Sequence, residues 1–294
     1  ENRMFRGSIV ALVTPMHDDG SVDWNALAAL IEWHCTSGTD AIVSVGTTGE
    51  SATLNPAEHK AVIRFTVEKV AGRLPVIAGT GGNATSEAID LSLAAYDAGC
   101  AATLQVVPYY NKPPQRGLYA HFKAIADAVP MPHLLYNVPG RTSCDLLPET
   151  VVALAQLPNI VGIKEASNMA RMVELRTVCP PDFDLLCGED GLSADALCNG
   201  TVDGVVSVTA NLAPDVMHNM VAAGLTGDAS RCHALNDRLA PLHEAMFYEC
   251  NPLPVKWALY RLGKIGAGIR LPLIPLAADV QPRVEAALRH AQLL

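Results

Sequence analysis

Hydrophobic and polar positions along the chain alternate between two signatures. Short runs are apolar on successive positions, as in Ile42-Val43 and Val205-Val206. Longer stretches between them carry apolar residues at helical spacing. The pattern predicts strands over 7–13, 41–46, 75–80, 101–107, 133–138, 160–166, 183–189 and 204–210. The helices that follow them are predicted over 24–37, 56–71, 84–98, 115–129, 148–156, 169–178, 191–199 and 214–223. Strands apolar on both faces are what a parallel sheet covered by helices requires. Eight such units in sequence fit a closed (β/α)8 TIM barrel, an α/β fold. A doubly wound open sheet is the alternative. It is disfavoured because no G-x-G-x-x-G follows the first strand, and Gly79-Thr80-Gly81-Gly82 lacks the dinucleotide spacing. Beyond 225 the strand signal stops. Helices are predicted near 228–249, 254–262 and 282–292, so the chain divides into a barrel over 1–224 and a C-terminal helical appendage over 225–294.

Composition narrows the class. Of 294 residues, 50% are apolar and 17% charged, which is enough for a large core and excludes a disordered chain. No apolar run approaches the roughly 20 residues of a membrane helix. The opening Glu1-Asn2-Arg3-Met4 lacks the apolar stretch and cleavage site of a secretory signal. The net charge is −9, with 21 basic against 30 acidic residues. A basic footprint for nucleic acid or an anionic membrane is therefore missing, while a small basic pocket for an anionic metabolite is still allowed. The eight cysteines form no C-x-x-C, and no Cys/His spacing matches a zinc site. They read as buried or half-buried thiols in a reducing cytoplasm, with no metal and no cofactor expected.

Barrel enzymes carry their chemistry at the C-terminal strand ends and in the loops just after them. Lys164, in Ile160-Val161-Gly162-Ile163-Lys164-Glu165-Ala166, is the only one of seven lysines inside a predicted strand. If Val161 and Ile163 face the helices, strand alternation turns Lys164 into the barrel. Burial of an amine favours its neutral form, the form that attacks a ketone to make an imine. A snorkelling or carboxylate-paired lysine is an equal reading of the strand alone. Tyr136 ends the preceding strand, where a phenol beside an amine can shuttle protons, or simply sit in the core. Arg141, after Pro139-Gly140, is set by a turn at the barrel mouth, where a guanidinium grips carboxylates in a fork; a surface arginine is the other reading. Gly46-Thr47-Thr48-Gly49-Glu50-Ser51 offers hydroxyls and free N–H groups to an anion, or merely caps the next helix. Pro108-Tyr109-Tyr110-Asn111-Lys112-Pro113-Pro114 suggests a rigid lid or an interface, with one of the two aromatics packed inside. His59, His121, His233 and His243 are expected on helix surfaces. The loops Gly188-Glu189-Asp190 and Thr209-Ala210-Asn211 form no phosphate cradle, and two carboxylates there repel phosphate.

Taken in order, Gly46-Thr47-Thr48-Gly49-Glu50-Ser51, Tyr109-Tyr110-Asn111, Tyr136-Asn137-Val138-Pro139-Gly140-Arg141-Thr142 and Gly162-Ile163-Lys164-Glu165 make the sequence resemble the dihydrodipicolinate synthases of bacterial lysine and diaminopimelate biosynthesis. The likeness runs from about Gly7 through Pro272. It implies a lyase in which Lys164 forms a Schiff base with pyruvate, and Tyr136, Thr47 and Tyr110 form a hydroxyl relay. It implies that Tyr110 reaches in from a neighbouring subunit of a homotetramer, a dimer of tight dimers. Thr48 would help hold the pyruvate carboxylate, Arg141 would bind that of L-aspartate 4-semialdehyde, and Gly188 and Val206 would line the pocket through backbone carbonyls. Ser51, Ala52, His59, Asn83, Glu87 and Tyr109 match the family's feedback site for L-lysine. Pro56 departs from it, standing where sensitive members carry histidine, so weaker inhibition is expected. Another pyruvate-dependent aldolase, of the sialic acid lyase or keto-deoxy-sugar-acid type, is the nearest alternative; Arg141 and the double threonine favour the synthase.

Overall fold

A computed structural model describes residues 4–294. Eight strands, β1 (Gly7–Ala11), β2 (Ala41–Ser44), β3 (Val76–Gly79), β4 (Ala102–Val106), β5 (His133–Asn137), β6 (Ile160–Glu165), β7 (Asp184–Cys187) and β8 (Gly204–Ser207), pair in parallel and close into a barrel in sequence order. The helices between them are α1 (Trp24–Thr36), α2 (Pro56–Val70), α3 (Thr85–Ala98), α4 (Gln115–Ala128), α5 (Pro139–Thr142), α6 (Pro148–Ala155), α7 (Met169–Val178), α8 (Asp190–Cys198) and α9 (Pro214–Leu225). Among the described residues, no helix is long and apolar enough to cross a membrane.

Two apolar layers hold the barrel. Alternate strand residues such as Ile9, Val43, Ile77, Leu104, Leu134 and Leu186 fill its interior. Their neighbours, such as Val10, Ile42, Leu135, Ile163 and Leu185, pack outward against the helices. The alternation breaks once. In β6 the register against β5 jumps from His133–Ile160 to Leu134–Gly162, a bulge that turns Val161 toward the inner cluster. Val161 is thus not on the helix side as strict alternation predicts, while Ile163 is, and Lys164 still faces inward.

The ends of several elements differ from the sequence pattern for local reasons. Pro139-Gly140 opens a single helical turn, α5, because Pro139 supplies the fixed φ of a first helical position. Thr209–Asn211 forms a 3-10 turn instead of extending β8, held where Asp190 accepts the Val208 and Thr209 N–H groups. His59, His121 and His243 are buried, not surface residues. Each ring bridges elements: His59 Nε2 to Gly79 O at 2.6 Å, His121 Nδ1 to Thr85 Oγ1 at 2.8 Å, and His243 Nδ1 to Thr209 Oγ1 at 2.7 Å. Burial pushes all three below the usual imidazole range, His121 to about 4. Tyr109 and Tyr110 are both exposed, so neither takes the packing role expected for one of them. Cys250 is the exposed thiol; the other seven cysteines are buried or half-buried, and all eight are free.

After the barrel come α10 (Ala229–Ala245), α11 (Leu253–Arg261) and α12 (Gln281–His290). Helix α10 packs on α8, α9 and α12. Leu239, Leu242, Val255, Leu259 and Leu288 belong to the same apolar cluster as the barrel's outer layer. The appendage is therefore welded to the barrel, with the segment before α11 lying over the mouth.

Candidate active site

Lys164 stands at the C-terminal end of β6, paired across the sheet with Tyr136 at the end of β5. Both side chains enter the barrel and are nearly closed off, at 7% and 6% exposure. The ammonium nitrogen of Lys164 lies 4.0 Å from the centre of the Tyr136 ring. Among the described residues no carboxylate pairs with it. Snorkelling and pairing, the two bland readings of a strand-end lysine, are both excluded. Room for the side chain comes from Gly188 after β7: a Cβ there would stand 3.0 Å from Lys164 Cε and 2.8 Å from Ala166 Cβ.

The residues next to this pair face outward and brace the strand ends. Asn137 Nδ2 donates to the Glu165 carboxylate at 3.0 Å and to Asp145 Oδ1 at 2.8 Å, while its Oδ1 accepts Leu146 N. Asp145 is gripped in turn by both terminal nitrogens of Arg171, each at 2.9 Å. Burial pushes the Glu165 carboxyl up to about 7, against the opposing pull of its hydrogen bonds and of Arg171.

The loop after β2 carries Thr47 and Thr48. It is tightly wound: Val45 and Glu50 sit in the left-handed region at φ 58° and 63°. Strain of about 1–3 kcal/mol per such residue persists only where the surroundings enforce it. They do so here. Glu50 is buried against Lys256 Nζ at 2.6 Å, and Lys256 also donates to Thr14 O. Burial lowers the Lys256 ammonium from its usual value, with Glu50 opposing. Thr14 Oγ1 donates to Gly49 O, and Asn251 Nδ2 donates to Thr48 Oγ1 at 2.9 Å. The loop does not cap α2, which has its own capping box of Asn55 and Glu58 with Pro56 as its first residue.

Arg141, on α5, reaches the same space and donates from Nη2 to Asn251 O at 3.2 Å. Thr47, Thr48, Tyr136, Arg141, Lys164, Gly188 and Val206 together line one cavity of about 50 Å3 at the C-terminal mouth. Tyr110 is not among them; it projects from the same chain's surface at 88% exposure. A larger cavity of about 490 Å3 adjoins the first and shares Thr47, Arg141 and Asn251 with it. Its walls bring together Ser51, Ala52, Pro56, His59, Glu87 and Tyr109. Asn83 sits beside it, donating from Nδ2 to Tyr109 O at 3.1 Å. Among the described residues, no group of three or more His, Cys, Asp or Glu side chains is arranged to hold a metal.

Sequence reasoning did not find Asn251 or Lys256, nor that Glu189 lines the cavity. Lys256 had a visible signal, a lone lysine within Leu253-Pro254-Val255-Lys256-Trp257-Ala258-Leu259. Asn251 had none, since its partner Thr48 is 203 residues away.

The sequence profile of the Dihydrodipicolinate synthetase family matches residues 4–291. The chain belongs to this family. Among the curated members of the dihydrodipicolinate synthetase family, 4-hydroxy-tetrahydrodipicolinate synthase of Dichelobacter nodosus is 59% identical over 287 residues, 97% of each chain. The crystal structure of dihydrodipicolinate synthase from Acinetobacter baumannii complexed with pyruvate superposes with a TM-score of 0.97 at 49% identity. It covers 98% of this chain and 99% of that one. The enzyme from Cyanidioschyzon merolae with lysine bound gives 0.96 at 41% identity, covering 99% and 100%. Family membership accounts for the order of the four motifs and for the barrel that gathers them.

Proposed function

We propose that this chain is a lyase that condenses pyruvate with L-aspartate 4-semialdehyde, through a Schiff base on Lys164, to give 4-hydroxy-tetrahydrodipicolinate. The observation that carries this reading is the buried, unpaired amine of Lys164 against the Tyr136 ring, in one cavity with Thr47, Thr48 and Arg141. The relatives named above support the choice of substrates.

In this mechanism the neutral Lys164 amine adds to the pyruvate ketone, and loss of water gives an iminium. The iminium draws electrons from the methyl C–H bond, and a proton leaves to give an enamine. The enamine carbon bonds to the aldehyde carbon, and the aldehyde oxygen takes up a proton. Tyr136 and Thr47 serve as the relay for these protons, joined by Tyr110 of a neighbouring subunit. The amine of the acceptor then adds to the iminium carbon as the bond to Nζ breaks. The ring closes and Lys164 returns as a free amine. Thr48 holds the pyruvate carboxylate, Gly188 and Val206 border it through their backbone carbonyls, and Arg141 binds the acceptor's carboxylate.

The larger cavity is read as an L-lysine feedback site formed by Ser51, Ala52, His59, Asn83, Glu87 and Tyr109, weakened by Pro56, which lacks a side-chain donor. The lysine-bound relative supports this reading. Activity unchanged at millimolar lysine would remove it. The enzyme acts as a homotetramer in the cytoplasm, in keeping with eight free cysteines. The decisive experiment adds borohydride to the protein with pyruvate and maps the adduct by mass spectrometry. The expected product is a reduced pyruvate imine on Lys164, with pyruvate consumed when the semialdehyde is supplied and sialic acid left uncleaved. An unmodified Lys164 overturns the reading.

A further inference from the structure

The mouth of the small cavity holds one carboxylate, Glu189, and one guanidinium, Arg141, that attract each other across it but make no hydrogen bond or ion pair with any charged side chain among the described residues. Glu189 follows Gly188 directly after β7 and lines the cavity together with Lys164 and Arg141. Its backbone is fixed, because its carbonyl accepts from Leu192 N at 3.0 Å and from Cys187 Sγ at 3.1 Å. Its side chain is half-buried. It occupies the N-cap position of α8 but makes no side-chain cap there. No hydrogen bond or ion pair holds its carboxylate among the described residues. The adjacent acid behaves differently: Asp190 Oδ2 is committed to the Val208 and Thr209 N–H groups at 2.9 and 3.0 Å. Arg141 spends only one donor, on the Asn251 carbonyl, and meets no carboxylate of the protein among the described residues.

A half-buried carboxylate that accepts no hydrogen bond is costly even with Lys164 and Arg141 nearby, and a ligand cation in contact with it would relieve that cost. A guanidinium and a carboxylate bordering one cavity are complementary to a molecule that carries a carboxylate and an ammonium close together. An α-amino acid head group has that form. We propose that Glu189 receives the α-ammonium of the acceptor while Arg141 takes its α-carboxylate, so that the site reads the acceptor as an amino acid and not as a bare aldehyde acid. This rests on the function proposed above and adds the group that selects within it.

The same contact serves ring closure. One proton passes from the ammonium to the Glu189 carboxylate, leaving a neutral amine and a neutral acid. The amine lone pair forms the new C–N bond as the π pair of the iminium moves onto Nζ. A proton then passes from the new ring nitrogen to Nζ, and the ring nitrogen's lone pair forms the ring C=N bond as the remaining C–Nζ bond breaks and leaves Lys164 a neutral amine. Burial, helped by Asp190, pushes the Glu189 carboxyl upward, with Lys164 and Arg141 opposing, and this eases proton uptake.

The test compares E189Q, an isosteric change, with the unaltered enzyme. It reads the KM for L-aspartate 4-semialdehyde against the Ki of succinate semialdehyde, which lacks only the amine. Loss of a charge-assisted contact should raise that KM roughly ten-fold or more, while the Ki moves by less than about two-fold. E189D, which keeps the charge on a shorter arm, should fall between the two. Equal shifts in both constants, or no shift in either, overturn the proposal. Borohydride trapping of pyruvate on E189Q runs in parallel. An adduct on Lys164 keeps the Schiff-base reading in force whatever the constants do, and its absence from the unaltered enzyme sinks that reading by itself.

Discussion

Lys164 and Lys256 are buried to a similar degree, 7% and 4% exposed, but only Lys256 has a carboxylate to answer its charge. On the function proposed above, that contrast is what distinguishes the reactive amine from the structural one. Replacing Lys164 with Ala should abolish the borohydride adduct and lower kcat by on the order of 10³-fold or more, with the thermal midpoint retained. A collapse in thermal stability would instead mark Lys164 as structural. Tyr136→Phe removes a proton carrier and keeps the ring, so kcat should fall by about 10²–10⁴-fold while the pyruvate adduct still forms. Arg141→Ala should raise the KM for the aldehyde far more than that for pyruvate; equal damage to both would contradict its role. These residues were legible in the sequence because each is polar where the strand or its loop breaks an apolar run. Glu189 was visible only as a repeller of phosphate, since sequence position does not reveal that its neighbour Asp190 is already committed to backbone N–H groups.

The barrel could be read from strands apolar on both faces, and the eight units emerged in the right order. Element ends could not, because they depend on hydrogen bonds from distant segments. Asn137 and Glu165 show why: they lie beside Tyr136 and Lys164 in sequence but point the other way, into a network that anchors the loop before α6. Glu165 in the folded chain titrates near 7, above its ordinary 4.5. At this group the folded state therefore binds a proton more tightly than the unfolded one, and the share of stability due to Glu165 falls as pH rises from about 4.5 to about 7. The drop amounts to about 3 kcal/mol. Glu165→Gln should remove this contribution, so the thermal midpoint of the variant minus that of the unaltered protein should rise between about pH 5 and 7; the buried histidines, which act in the opposite sense, cancel in that difference. Parallel curves would refute the assignment.

Across the whole molecule, the appendage and the barrel share one apolar cluster, and the appendage also supplies the partners of the β2 loop. Lys256→Met would strand Glu50 as a buried, unpaired charge and cost about 3–5 kcal/mol in denaturant unfolding. A change under about 1 kcal/mol would say the pair is solvated. The fully exposed Tyr110 gives a second test at this scale. Lys164→Ala and Tyr110→Ala chains, each inactive alone, should regain part of the activity when refolded together. In a dimer of the proposed kind, the mixed pair would contain one site with both an intact lysine and an intact tyrosine. No recovery would put Tyr110 out of the neighbouring site.

The bonds from Asn251 and Lys256 to the β2 loop also order events during synthesis. Domains fold from the N-terminal side as the chain emerges. Every strand of the barrel precedes residue 208, so the sheet can close while the tail is still within the ribosome. At that stage Glu50 has no ammonium to meet, the Thr48 hydroxyl lacks its amide, and Arg141 lacks the carbonyl that holds it. A nascent chain halted before Asn251 would hold all eight strands but lack α11 and α12, which complete the outer apolar layer, and the partners that brace the β2 loop.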